Sequence, residues 1–310
     1  MKKIVSLIIA AAVLAATAFS AGALTAPGYP GVQLANDWDD QLTVTGYTGD
    51  DPVVRIPETA YDKAVKRIDQ KAFYNNQIVE MLIMHDNMTQ VKKWGVRSCP
   101  NLKNVYYSKS LVVLYDQAFS YNSKLTSAFL RNTALDEMNV GVYMSSAVEY
   151  VSLPDTLKSI YATVFENTKV RRVDIPDGVT QIGNRCFAGC AQLEAVYIPA
   201  SVKKLGEDVF RNSDNVTVYT TQGSVAQTYC SENNVNCVVI NEDEIPSKLL
   251  GDVNGDKDVN INDVTFMQRE LAGYKTDFYP QNCDYDNNCI FDINDATRLQ
   301  LDLAGFREKV

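Results

Sequence analysis

The chain has 310 residues, 46% of them hydrophobic, with 29 basic and 38 acidic side chains and a formal charge of −9. That is enough apolar content for one elongated domain and a small second one, and the acid excess argues against nucleic acid and anionic membranes as partners. One histidine and seven cysteines without a CxxC pair argue against zinc and thiol redox chemistry, and the odd cysteine count leaves at least one thiol unpaired. At the N-terminus, Lys2 and Lys3 precede an apolar run from Ile4 to Ala16, and Ala21-Gly-Ala23 offers a small-residue cleavage site, with Ala18-Phe-Ser20 as an alternative. Residues 1–23 therefore read as a secretory signal, too short for a stable anchor and followed by no lipid-accepting cysteine. The expected mature protein is exported and carries a charge of −11 once Lys2 and Lys3 are lost.

Residues 24–240 are expected to form a repeat array. An apolar marker recurs every 22 to 23 residues at Val79, Leu102, Leu125, Val148, Val170, Leu193 and Val216. Three and five residues on come the pairs Leu82/Met84, Val105/Tyr107, Ala128/Leu130, Val151/Leu153, Val173/Ile175 and Val196/Ile198, the alternation of a short strand with one buried face. Pro154, Pro176 and Pro199 end three of these strands. Before the markers stand Phe73, Val96, Phe119, Val142, Phe165, Phe187 and Phe210, predicted to stack into a phenylalanine-rich spine.

The unit Val173-Asp-Ile-Pro-Asp-Gly-Val179 through Phe187-Ala-Gly-Cys190 and Leu193 resembles the BspA-like leucine-rich repeats of bacteria. Leu42–Asp51 is similar to that family's first turn, and Gly223–Ile240 to its closing cap. The likeness weakens between Met84 and Ser146, where the Pro and Gly-Cys signals are lost. The resemblance implies a mainly β solenoid whose short parallel strands line a concave face. On that face Met81, Ile83, Tyr106, Phe129, Tyr150 and Tyr197 are expected to stand exposed, either as a partner surface or as ladder packing between neighbouring strands. If the strip binds a partner, alanine at Tyr106 and Phe129 together would abolish capture without changing the melting temperature.

Catalysis in the array has little support. His85 stands where other units carry Pro and reads as a surface residue of a drifted repeat, with no nucleophile elbow to serve. Acidic residues fall mostly in turns and at scattered repeat positions, not as a glycosidase pair. The expectation is a non-enzyme.

Residues 241–250 read as a short polar linker, and residues 251–310 carry one loop pattern twice, 32 residues apart. The first copy places Asp252, Asn254, Asp256, Asn260 and Asp263, and the second Asp284, Asp286, Asn288, Asp292 and Asp295, at loop positions 1, 3, 5, 9 and 12. This spacing wraps a chain around a hard, oxygen-seeking cation, with position 7 giving its carbonyl from Asp258 and Ile290. Each loop opens a helix that ends in Leu-Ala-Gly-aromatic. The tail resembles a type I dockerin, the module that plugs cellulosome components into cohesins on a scaffold protein. The resemblance implies a small all-α unit holding two Ca2+ ions. It further implies a cohesin-binding face at loop positions 10 and 11, Ile261-Asn262 and Ile293-Asn294, and onward along the helices at Gln268, Arg269, Gln300 and Leu301. The identical Ile-Asn pairs suggest two binding orientations, which Arg269 opposite Leu301 would make unequal. Position 6, where such loops favour glycine for a left-handed turn, is Lys257 in one copy and Cys289 in the other, implying strain. Cys283 and Cys289 bracket the start of the second loop, and both a bridge and reduced thiols are compatible with their spacing.

The function implied is that of a non-catalytic cellulosome component in plant polysaccharide degradation. Its dockerin would attach it to a scaffold cohesin in a calcium-dependent way, and its repeats would recognise a protein or surface glycan. The alternatives are a polysaccharide-degrading enzyme with an unrecognised site, or an inhibitor that protects the complex. The tail alone is marginal in size, so chelation is expected to unfold it and spare the array.

Overall fold

Apolar residues repeated every 22 or 23 positions can all be buried if each unit makes one turn of a coil and lays its apolar face on its neighbour's. The computed structural model, which describes residues 24–306 apart from Lys275, has this form. The expected leader falls outside the described residues.

One side of the coil is a ladder of two-residue parallel bridges, including Gln90–Val91, Val113–Leu114, Glu137–Met138, Ser159–Ile160, Gln181–Ile182 and Lys204–Leu205. At its N-terminal end the ladder is closed by Lys63–Ile68, Leu42–Tyr47 and an antiparallel neighbour, Val32–Asn36. The other side carries the predicted strands as three parallel sheets. These are Val53–Arg55 with Met81–Ile83 and Asn104–Tyr106; Ser127–Phe129 with Tyr150–Ser152; and Arg172–Asp174 with Ala195–Ile198, Thr217–Thr220 and Asn236–Val239. All seven markers and all six strand pairs are buried.

The spine forms in the turns after each bridge, with one change of residue. Phe119, Tyr143, Phe165, Phe187 and Phe210 stack with centroids 5.5 to 5.9 Å apart. Val142 is buried as predicted, but the ring in that turn belongs to Tyr143, whose hydroxyl meets that of Tyr107 at 2.9 Å inside the core. Helix α1, Val225–Asn233, closes the array; Ser224 caps its start and Asn234, left-handed, its end.

The C-terminal unit consists of helices α2, Ile261–Leu271, and α3, Ile293–Leu303, each preceded by one of the acidic loops. Val264, Met267, Ala296 and Leu299 form their shared core with Val253, Phe278 and Cys283. The seven cysteines are all free thiols, so the bridge considered between Cys283 and Cys289 is not made.

Candidate functional site

The two loops share one hydrogen-bond plan. In the first, the Asp252 carboxylate accepts from the backbone of Gly255 and Lys257 at 2.8 and 3.0 Å, and Asp256 accepts from Asp258 at 2.9 Å. In the second, Asp284 accepts from Cys289, Asp286 from Asn288 and Asn288 from Ile290. The last acid of each loop, Asp263 or Asp295, is fully buried and accepts from the second, third and ninth loop residues. The ninth residue, Asn260 or Asp292, is also the N-cap of the helix, so the loop's closing acid completes a capping box. Position 6 is left-handed in both copies, at φ 68° for Lys257 and 61° for Cys289. The strain expected from these departures is therefore present.

Carboxylate oxygens of Asp284, Asp286 and Asp295 converge to within 4.8 Å of one another. Burial, with Asp295 beside it, pushes the Asp284 carboxyl up to about 7, and burial pushes Asp295 up to about 6. A cation among carboxyls crowded and desolvated in this way favours their ionised forms, and three convergent carboxylates are a donor set that fits a hard divalent ion. In the first loop position 3 is Asn254 instead of an aspartate, and burial raises the Asp263 carboxyl.

The structure overturns the expected exposure of the concave strip. Phe129 is 2% exposed because it lies in the core of the C-terminal unit with Val253, Val264 and Met267. Tyr150 meets Phe278 and Phe291 edge-on at 6.3 and 5.4 Å, and Tyr197 is buried. Met81, Ile83 and Tyr106 are half-buried, the last two lining a cleft that Cys289 and Asn287 close from the other side. A surface of large apolar side chains has been covered by the chain's own tail.

Polar contacts fix that seat. Arg171 pairs with the buried Glu270 of α2, which also accepts from the Tyr150 hydroxyl at 3.3 Å and from Thr276 at 3.1 Å. The Arg172 guanidinium lies 3.6 Å from the centre of the Tyr279 ring, held by Asp174. Arg131 donates to Asn282 Oδ1 at 3.0 Å, and Asn282, fully buried, donates to the carbonyls of Ser247 and Asp252. Residues 241–250 are consequently no free tether, since Lys248 bridges Asp155 and Asp177 of the array at 3.0 Å each. Sequence pattern marks one residue of this seam as needing a partner, without saying which partner. Glu270 follows Val264 and Met267 on the apolar face of α2, and a charge on a buried face demands a partner.

The opposite face of the unit is bare. Ile261 and Ile293 are 57% and 55% exposed, and Asn262, Gln268, Arg269, Asn294, Gln300 and Leu301 are exposed with them. In the array, His85 proves half-buried, and burial lowers its pKa; its Nδ1 accepts from the Asn87 backbone at 3.2 Å. No helix among the described residues is long and apolar enough to cross a membrane.

Comparison with known proteins agrees with the coil. The family described as BspA type leucine-rich repeat region matches in six copies, over residues 54–169 and 136–250. The chain belongs to that family. No curated protein matches it. Among solved structures it is similar to a leucine-rich cell surface protein from Faecalibacterium prausnitzii, at 20% identity over 64% of this chain and 76% of the other, with a TM-score of 0.42. It is also similar to a leucine-rich repeat protein of T. pallidum, at 18% identity over 79% and 94% of the two chains, with a TM-score of 0.44.

Proposed function

We propose that this leucine-rich repeat protein is an exported, non-catalytic recognition component. In this reading its C-terminal unit is a calcium-dependent dockerin that fastens it to a cohesin on a scaffold at the cell surface. Asp252, Asn254, Asp256, Asn260 and Asp263 would hold one Ca2+, and Asp284, Asp286, Asn288, Asp292 and Asp295 the other, with carbonyls from Asp258 and Ile290. The ion supplies the positive charge that buried carboxylates need, and the chain's own residues shape the loop around it.

The observation that carries the reading is the two-sidedness of α2 and α3. Their inner faces are spent on a shared core and the array, while the two Ile-Asn pairs and the residues beyond them stand in solvent. A soluble protein that keeps two large aliphatic side chains more than half exposed on matching helices presents a partner site. Titration of the mature protein against a panel of cohesins, first in calcium and then in EGTA, tests it. Tight binding lost on chelation is expected; no binding in calcium would refute attachment by this route. Alanine at Ile261 or Ile293 alone should cost little and both together much, because each pair can replace the other.

A further inference from the structure

The second loop has two sets of neighbours that alternate along the chain. Asp284 and Asp286 turn their carboxylates inward, where they meet Asp295. Asn287 and Cys289, which follow them, turn outward onto the array. Asn287 accepts from Asn132 Nδ2 at 2.7 Å, and the Cys289 carbonyl accepts from Ser127 Oγ at 3.3 Å. The Cys289 side chain packs against the array's core and the unit's own core at once. Asn287 and Cys289 are both left-handed, at φ 58° and 61°, so the turn that aims the carboxylates inward also aims these two outward. Among the described residues the first loop makes no hydrogen bond of this kind to the array and meets it only through the apolar Val253, in the cluster with Phe129; Lys257, at the matching position, bonds to the Asp243 carbonyl of the preceding segment.

We propose that the concave strip of the array is a docking surface for the second loop in its calcium-loaded shape, so that ion binding at that loop and docking of the C-terminal unit strengthen one another, while the first loop binds its ion independently. This rests on the calcium reading above. It accounts for cysteine at a position where glycine would relieve strain: a glycine would leave the seam without its plug. Coupling between two sites is reciprocal, which supplies a test from each side.

On the ion side, the mature full-length protein is alkylated with iodoacetamide in calcium and in EGTA, and each cysteine is followed by peptide mapping. Cys289 reports the seam, and Cys283, fully buried inside the unit, reports its unfolding. The unit shares its core with the array's Phe129, so, in place of the unfolding expected from its size alone, chelation should speed labelling of Cys289 at least tenfold while Cys283 stays protected. Asp286→Asn should label rapidly at Cys289 even in calcium, and Asp256→Asn in the first loop should not. On the array side, Ser127→Ala with Asn132→Ala changes no residue of either loop and removes only the bonds that the array gives to the second, yet should weaken calcium at the second site about fivefold or more, the lower end of ordinary coupling, and leave the first site unchanged. Calorimetric titration with calcium chloride reads both affinities. Cys289 labelling that ignores calcium, or that rises only together with Cys283, overturns the coupling while a measured calcium heat leaves the ion sites standing. Absence of any calcium heat overturns both.

Discussion

Asn75, Ser98, Tyr121, Ser145, Asn167 and Asn212 hold the left-handed turn position that Gly189 holds in its own repeat, with φ between 56° and 61° against 69° for the glycine. A side chain in that region costs roughly 1–2 kcal/mol, and the greater entropy lost on ordering glycine takes back about 0.5–1 kcal/mol of any relief. Ser98→Gly should therefore raise the urea midpoint slightly. Gly189→Ala should lower it, because alanine is strained at φ 69° and its Cβ would force the Asn167 side chain aside. A second prediction concerns the hydroxyl pair in the spine. Tyr143→Phe leaves the Tyr107 hydroxyl buried without a partner, at a cost of about 1–3 kcal/mol. Tyr107→Phe together with Tyr143→Phe removes both ends and should recover most of that loss in a denaturation cycle.

At the level of elements, α2 is anchored by the charge on its inner face. Arg171 and Glu270 are 15% and 3% exposed in their side chains, so removing Glu270 leaves a largely buried arginine with only Glu149 at 4.0 Å and the Thr276 carbonyl at 3.3 Å. Glu270→Ala should destabilise the docked unit by about 3–5 kcal/mol, whereas methionine at both Arg171 and Glu270 should cost far less. Thermal melts of the two variants separate these outcomes. The elements themselves were legible because a coil of short strands must repeat its buried positions, and the markers from Val79 to Val216 state that period openly. Where the repeat decays, between Met84 and Ser146, the marker residues Leu102 and Leu125 still carried the pattern although the turn signals had gone. Tyr143 was missed because its neighbour Val142 held the expected register, and one residue's shift is invisible to periodicity. The acidic loops and the helices that follow them were legible from spacing, since the closing acid of each loop stands three residues beyond the N-cap it completes. The seam was not: Arg131 meets Asn282 across some 150 residues, and no local pattern records such a meeting.

Across the whole molecule, the strip that sequence offered as a partner surface is taken by the chain itself, and the consequences of altering it reverse. An exposed strip would let Phe129→Ala abolish capture at no cost in stability. A covered one makes Phe129 part of the unit's core, so its truncation should weaken docking by about 3–5 kcal/mol, the usual loss for a buried phenylalanine. The outward residues Ile261 and Ile293 lie on the far side of α2 and α3 from that core, and docking leaves them free. Release of the unit therefore should not change what the helices can bind. The expected result for Phe129→Ala is an earlier thermal transition, a larger radius of gyration by small-angle scattering and, for a cohesin bound as proposed above, a dissociation constant within twofold of the parent protein. A dissociation constant that worsens in step with the loss of docking would mean that the array helps to shape the partner face, and that the two modules recognise the scaffold together.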